Sequence, residues 1–78
     1  MGATGRPTGC SSDVAGKWGS IAACSEHNGG AYRALVQCKY PNGKVWDYEG
    51  PWKKKGRSFA YCQGDSKAIG AGFETRVR

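Results

Sequence analysis

The chain has 78 residues, 13 of them glycine and 3 proline, and carries 12 Lys+Arg against 6 Asp+Glu for a net charge of +6. That length holds one domain with a modest core, which small domains commonly reinforce with disulfides or metals. The glycine content disfavours long helices, and no apolar run approaches the ~20 residues a membrane-spanning helix needs.

Taken from the start, residues 1–13 are polar and rich in Gly and Thr. They are expected to form a flexible N-terminal arm, fastened only if Cys10 is bridged, ahead of a single β domain over residues 14–78. Met1 is followed by Gly-Ala-Thr-Gly-Arg-Pro, with no apolar leader. The expectation is a mature exported chain that has lost its signal sequence and gained a start methionine. A cytosolic chain with reduced cysteines is the other reading. Val14 to Cys24 mixes small residues with Trp18 and Ile21, as a short strand or an irregular stretch. Ser25-Glu26-His27-Asn28-Gly29-Gly30 is a loop by composition.

Tyr32 to Tyr40 has the clearest strand pattern. Tyr32, Ala34, Val36, Cys38 and Tyr40 alternate with Arg33, Gln37 and Lys39, Leu35 being the exception. That two-residue period marks a half-buried strand. Pro41-Asn42-Gly43 supplies a turn, and Lys44 to Glu49 returns as the second strand of a hairpin. On it Trp46 and Tyr48 share one face, expected to pack the core, because Asp47 and Glu49 opposite must face water. Asp47 and Glu49 are expected to solvate the outer face or to pair with Lys39 or Lys44 across the hairpin.

Gly50-Pro51 ends or kinks that strand, since proline cannot donate to a ladder. Ser58 to Gln63 is a third short strand, and Gly64-Asp65-Ser66 turns the chain again. The tail alternates Ile69, Ala71, Phe73, Thr75 and Val77 against Glu74, Arg76 and Arg78, as a terminal strand. The expected fold is all-β: a small antiparallel sheet, sandwich or barrel of four to five strands stapled by two disulfides.

Cys10, Cys24, Cys38 and Cys62 are 14, 14 and 24 positions apart. Zinc sites usually show closer pairs, so a disulfide framework is expected and no metal site. Such a framework belongs to an oxidising compartment, which points to a secreted protein. Pairing Cys38 with Cys62 and Cys10 with Cys24 closes two local loops, the entropically favoured arrangement. The larger loop stabilises by roughly 3–4 kcal/mol on the loop-entropy argument.

No nucleophile-elbow, zincin or phosphate-loop motif occurs, and the only histidine is His27 in a glycine-rich loop. A non-catalytic protein without a cofactor is expected. The candidate binding residues are Trp52, Lys53, Lys54, Lys55 and Arg57, a tryptophan beside four cations in five positions. A surface loop of this kind attracts anions, and Trp and Arg concentrate binding energy. The bland alternative is a solvated turn that keeps a small protein soluble. The expected partner is an anionic cell-envelope component or a secreted protein, with nucleic acid less favoured.

Tyr32-Arg33-Ala34 leading to Cys38, then Gly50-Pro51-Trp52, then Ser58, Ala60 and Cys62 form a pattern over residues 32–62. In this the chain resembles small exported two-disulfide proteins of actinomycete bacteria. The resemblance implies export and a binding role. Some small exported proteins of these bacteria are antimicrobial, and others are parts or adaptors of secreted toxin assemblies. A cationic protein of microbial competition is therefore the first functional expectation. A protein-binding adaptor or inhibitor is the second, and a carbohydrate- or nucleic-acid-binding module the third.

Overall fold

The computed structural model describes residues 5–77. Among them are six strands and no helix: β1 (Thr8–Ala15), β2 (Gly19–Glu26), β3 (Ala31–Lys39), β4 (Val45–Glu49), β5 (Ser58–Tyr61) and β6 (Lys67–Arg76). They form two three-stranded sheets, ordered β1-β2-β5 and β4-β3-β6, and every neighbouring pair is antiparallel. The chain crosses between sheets after β2, β4 and β5. One core lies between the sheets, built from Ala22 and Ala60 on one side and Ala34, Val36 and Cys38 on the other. The all-β expectation holds, with one strand more than the pattern suggested.

The extra strand is β1, which overlaps the expected arm. With Cys10 bridged, that stretch is fastened: Thr8–Asp13 belong to β1, paired with β2 from Thr8↔Glu26 to Ala15↔Gly19. The β domain therefore begins before residue 14. Two contacts fix the stretch before β1: Asn28 donates from Nδ2 to the Arg6 carbonyl (3.0 Å), and Arg6 donates from Nη1 to Thr75 Oγ1 (2.9 Å). Residues 1–4 and 78 lie outside the described residues.

The hairpin of β3 and β4 forms as expected, from Leu35↔Glu49 to Lys39↔Val45. Its turn uses the residues that turn chemistry demands. The Gly43 N–H donates to the Tyr40 carbonyl (2.9 Å), and the Tyr40 N–H donates to the Lys44 carbonyl (2.8 Å). Gly43 sits at φ 90°, which a side chain would resist. Tyr32, Ala34, Val36 and Cys38 all point inward and are buried.

Trp46 does not pack the core: it is 63% exposed. β4 is an edge strand, and β5 spans only four residues. Tyr48 is half-buried, and its hydroxyl is hydrogen-bonded to that of Tyr40, which holds the Tyr48 phenol above its ordinary pKa.

Both disulfides close as the loop argument favoured. Cys10–Cys24 joins directly opposed residues of β1 and β2, and Cys38–Cys62 ties β3 to the end of β5 in the other sheet.

The core side chains are small, so the sheets approach closely. Buried Ser20 donates from Oγ to the Leu35 carbonyl of the facing sheet (2.7 Å). Buried Ser58 accepts from the Ala34 N–H (2.9 Å) and donates to the Pro51 carbonyl (2.7 Å). A Cβ on Gly50 would lie 2.3 Å from the Phe59 carbonyl oxygen, so only glycine fits there. Ser58→Ala should lower the unfolding free energy by about 1–3 kcal/mol, because it strands the Ala34 N–H without a partner. Urea denaturation measures this, and an unchanged midpoint would remove Ser58 from the framework.

Candidate functional site

Proline decides how the basic segment is presented. β4 pairs with β3 as far as Gly50, whose N–H donates to the Ala34 carbonyl (2.8 Å). Pro51 has no N–H, and the backbone bulges outward. Pairing resumes one residue out of step at Tyr32↔Lys53, with Lys53 N–H to Tyr32 carbonyl at 2.7 Å and Tyr32 N–H to Lys53 carbonyl at 2.9 Å. Ser58 Oγ takes the Ala34 N–H in the gap. Tyr32, 0% exposed, also donates from its hydroxyl to the Gly56 carbonyl (2.7 Å). The loop is thus tied down at both ends by one buried tyrosine. Lys53, Lys54, Lys55 and Arg57 are all exposed on it.

Trp52 lies at the neck of this loop and is half-buried, neither core nor free. The guanidinium groups of Arg33 and Arg76 lie over its ring, 4.5 and 4.2 Å from the centroid. Such contacts stabilise by about 0.5–1 kcal/mol each at sites open to solvent. The sequence placed Trp52 beside the lysines. The two arginines come from β3 and β6, and only the fold brings them there.

Arg33 also governs the acidic groups. Its Nε donates to Glu74 Oε1 (2.7 Å), and its Nη2 reaches Glu49 Oε2 (3.2 Å). The expected pairing of Asp47 or Glu49 with Lys39 or Lys44 is not what forms. Lys39 stands opposite Val45 and Asp47 opposite Gln37, while Glu49 turns to Arg33. Among the described residues, Arg33 makes both ion pairs, so Lys53, Lys54, Lys55 and Arg57 keep their charges free. Beside Arg33, the outer face of the β4-β3-β6 sheet forms an open trough of about 360 Å³. Gly70 and Gly72 floor it, and Asp47, Glu49 and Glu74 stand along it.

A second surface was not foreseen. On the outer face of the β1-β2-β5 sheet, Trp18 meets Tyr61 (centroids 5.3 Å apart, planes 31°) and Phe59 (6.2 Å, 38°). Trp18 is 44% and Tyr61 54% exposed. The alternation of Phe59 and Tyr61 around buried Ala60 was the visible signal, but nothing in the sequence brings Trp18 to them.

All four cysteines are consumed by the disulfides, and no cluster of three or more His, Cys, Asp or Glu side chains forms among the described residues. The arrangement offers an exposed cationic loop, an aromatic face and an acidic trough. Trp52→Ala should cost about 1–2 kcal/mol through lost guanidinium contacts, short of the ~3–5 kcal/mol of a fully buried ring. Thermal or urea unfolding measures it; a change below ~0.5 kcal/mol would mean the two arginines gain nothing from the ring. No family model matches the chain, and no curated protein or solved structure matches it either.

Proposed function

We propose that this protein is an exported, non-catalytic cationic binding protein that attaches to anionic polymer of a cell envelope, in the service of competition between microbes. The observation that carries this reading is the loop of residues 53–57. Its four cations are exposed, free of acidic partners, and held in one place by buried Tyr32. A fixed cluster of like charge meets a polyanion with less ordering cost than a loose one. Two disulfides suit an oxidising compartment, which supports export. Arg33 engages Glu49 and Glu74 as ion pairs, which supports a structural role for those carboxylates rather than acid–base work. The net charge of +6 favours encounter with negative surfaces over a range set by the Debye length, ~8 Å at physiological salt.

Poly-L-glutamate, a polyanion without sugar rings or bases, tests the charge reading. The wild-type protein should bind it at low salt and release it as salt rises. Replacing Lys53, Lys54 and Lys55 together with Gln should weaken binding and flatten the salt dependence. Stability should move by less than about 0.5 kcal/mol, since the three side chains are exposed. If the triple variant binds as tightly as the wild type at low salt, the loop is a solvated turn and the proposal falls.

A further inference from the structure

The aromatic face of the β1-β2-β5 sheet is not used by the charge reading, and its surroundings indicate what covers it. We infer that Trp18, Phe59 and Tyr61 form a stacking platform for the sugar rings of a carboxylate-bearing polysaccharide. The inference rests on the proposed attachment to an anionic polymer and names its chemical class.

The platform is built by strand alternation. Ser58 and Ala60 of β5 point inward and are fully buried, so Phe59 and Tyr61 point outward. Trp18, in the turn between β1 and β2, folds onto both rings. Tilts of 31° and 38° leave the three rings close to one broad surface rather than edge-on to one another. Large apolar rings at 44% and 54% exposure are costly unless something covers them.

Charge identifies the occupant. Arg57 is exposed and immediately precedes β5, the strand that carries Phe59 and Tyr61. It joins the platform to the Lys53–Lys55 loop. Exposed Lys17 precedes Trp18 at the other end. A row of rings with cations at both ends fits a chain that carries both stackable rings and negative charge. Two such chains exist, single-stranded nucleic acid and acidic polysaccharide. Asp13 favours the second. It is exposed and stands directly across the ladder from Ile21, which in turn faces Phe59. A carboxylate there accepts hydrogen bonds from the free hydroxyls that the sugars of a polysaccharide carry, donors that the deoxyriboses within a DNA strand lack. Trp18 meets both Phe59 and Tyr61, so the three rings form one continuous platform.

The experiment compares three probes: alginate, whose sugars all carry carboxylates; poly-L-glutamate; and oligo-dT. The variant is Tyr61→Ala, because its hydroxyl makes no hydrogen bond among the described residues and its ring is outermost. Trp18→Ala is the companion, with circular dichroism establishing that each variant is folded. The wild type should prefer alginate over poly-L-glutamate. Tyr61→Ala should lose roughly tenfold or more in alginate affinity and keep its affinity for poly-L-glutamate. An unchanged alginate affinity in Tyr61→Ala overturns the platform. Equal wild-type affinity for alginate and poly-L-glutamate also overturns it, while the charge reading stands. Tighter binding of oligo-dT than alginate, lost in Tyr61→Ala, overturns the sugar assignment in favour of bases. Failure to bind either carboxylate polymer at low salt overturns the charge reading itself, and this inference with it.

Discussion

The short distance between the two sheets is the constraint on which the other features depend. Stacked sheets ordinarily sit about 10 Å apart, with large side chains between them. Apart from the buried ring of Tyr32, the inward-facing side chains are small: Ala22, Ala34, Ala60, Ser20 and Ser58, with Val36 and Cys38 only somewhat larger. Such side chains cannot fill a wide gap, so the sheets close until side-chain oxygens of one reach backbone of the other. Ser20 and Ser58 then serve as inter-sheet hydrogen bonds rather than as buried liabilities, and no buried side-chain polar atom among the described residues lacks a partner. The apolar area buried is small, which makes the covalent link between the sheets, Cys38–Cys62, a larger share of the total stability.

That closeness also explains the break in β4. Gly50 lies against the Phe59 backbone of the other sheet, and Pro51, which has no N–H, cannot donate to the ladder. The serine that bridges the sheets fills the vacant acceptor position. The chain is deflected outward by one residue and returns to Tyr32 at Lys53. The deflection puts Trp52 under Arg33 and Arg76, and Lys54, Lys55 and Arg57 follow beyond the pairing of Lys53 with Tyr32. Core geometry and loop presentation are therefore one device, anchored at Tyr32 and Ser58.

The sequence revealed the parts whose pattern is local. The β3 alternation, the Pro41-Asn42-Gly43 turn and the return strand could be read directly, because the period of two and the turn chemistry lie within neighbouring residues. β1 could not. Thr8–Ala15 has little apolar alternation, and its strand character comes from the pairing with β2 and from the Cys10–Cys24 bridge. Trp46 was misplaced because its neighbours dictated which face it shares but not that β4 is an edge with little opposite it. The candidate site was half visible. Trp52 and the lysines stand together in the chain, whereas Arg33, Arg76 and Trp18 join their partners through long-range pairing that no short window contains.

Charge is partitioned along the same lines. Of the 6 acidic residues in the chain, Asp47, Glu49 and Glu74 stand on the outer face of one sheet, two of them bound to Arg33. Had Glu49 reached a lysine across the hairpin, Arg33 would have lost one of its two carboxylate partners. Instead Arg33, in the central strand and beside both flanking strands, gathers the carboxylates and stacks on Trp52 at once. Arginine's planar fork can do both, where a lysine could not. The acids nearest the basic loop are thereby engaged elsewhere, and the loop's field is turned outward rather than neutralised from within. A protein whose net charge came only from an excess of scattered lysines would attract polyanions weakly and at no particular place. In this one the excess is concentrated where Tyr32 holds the backbone still, and the same strand that follows the loop carries the aromatic rings onward across the opposite sheet.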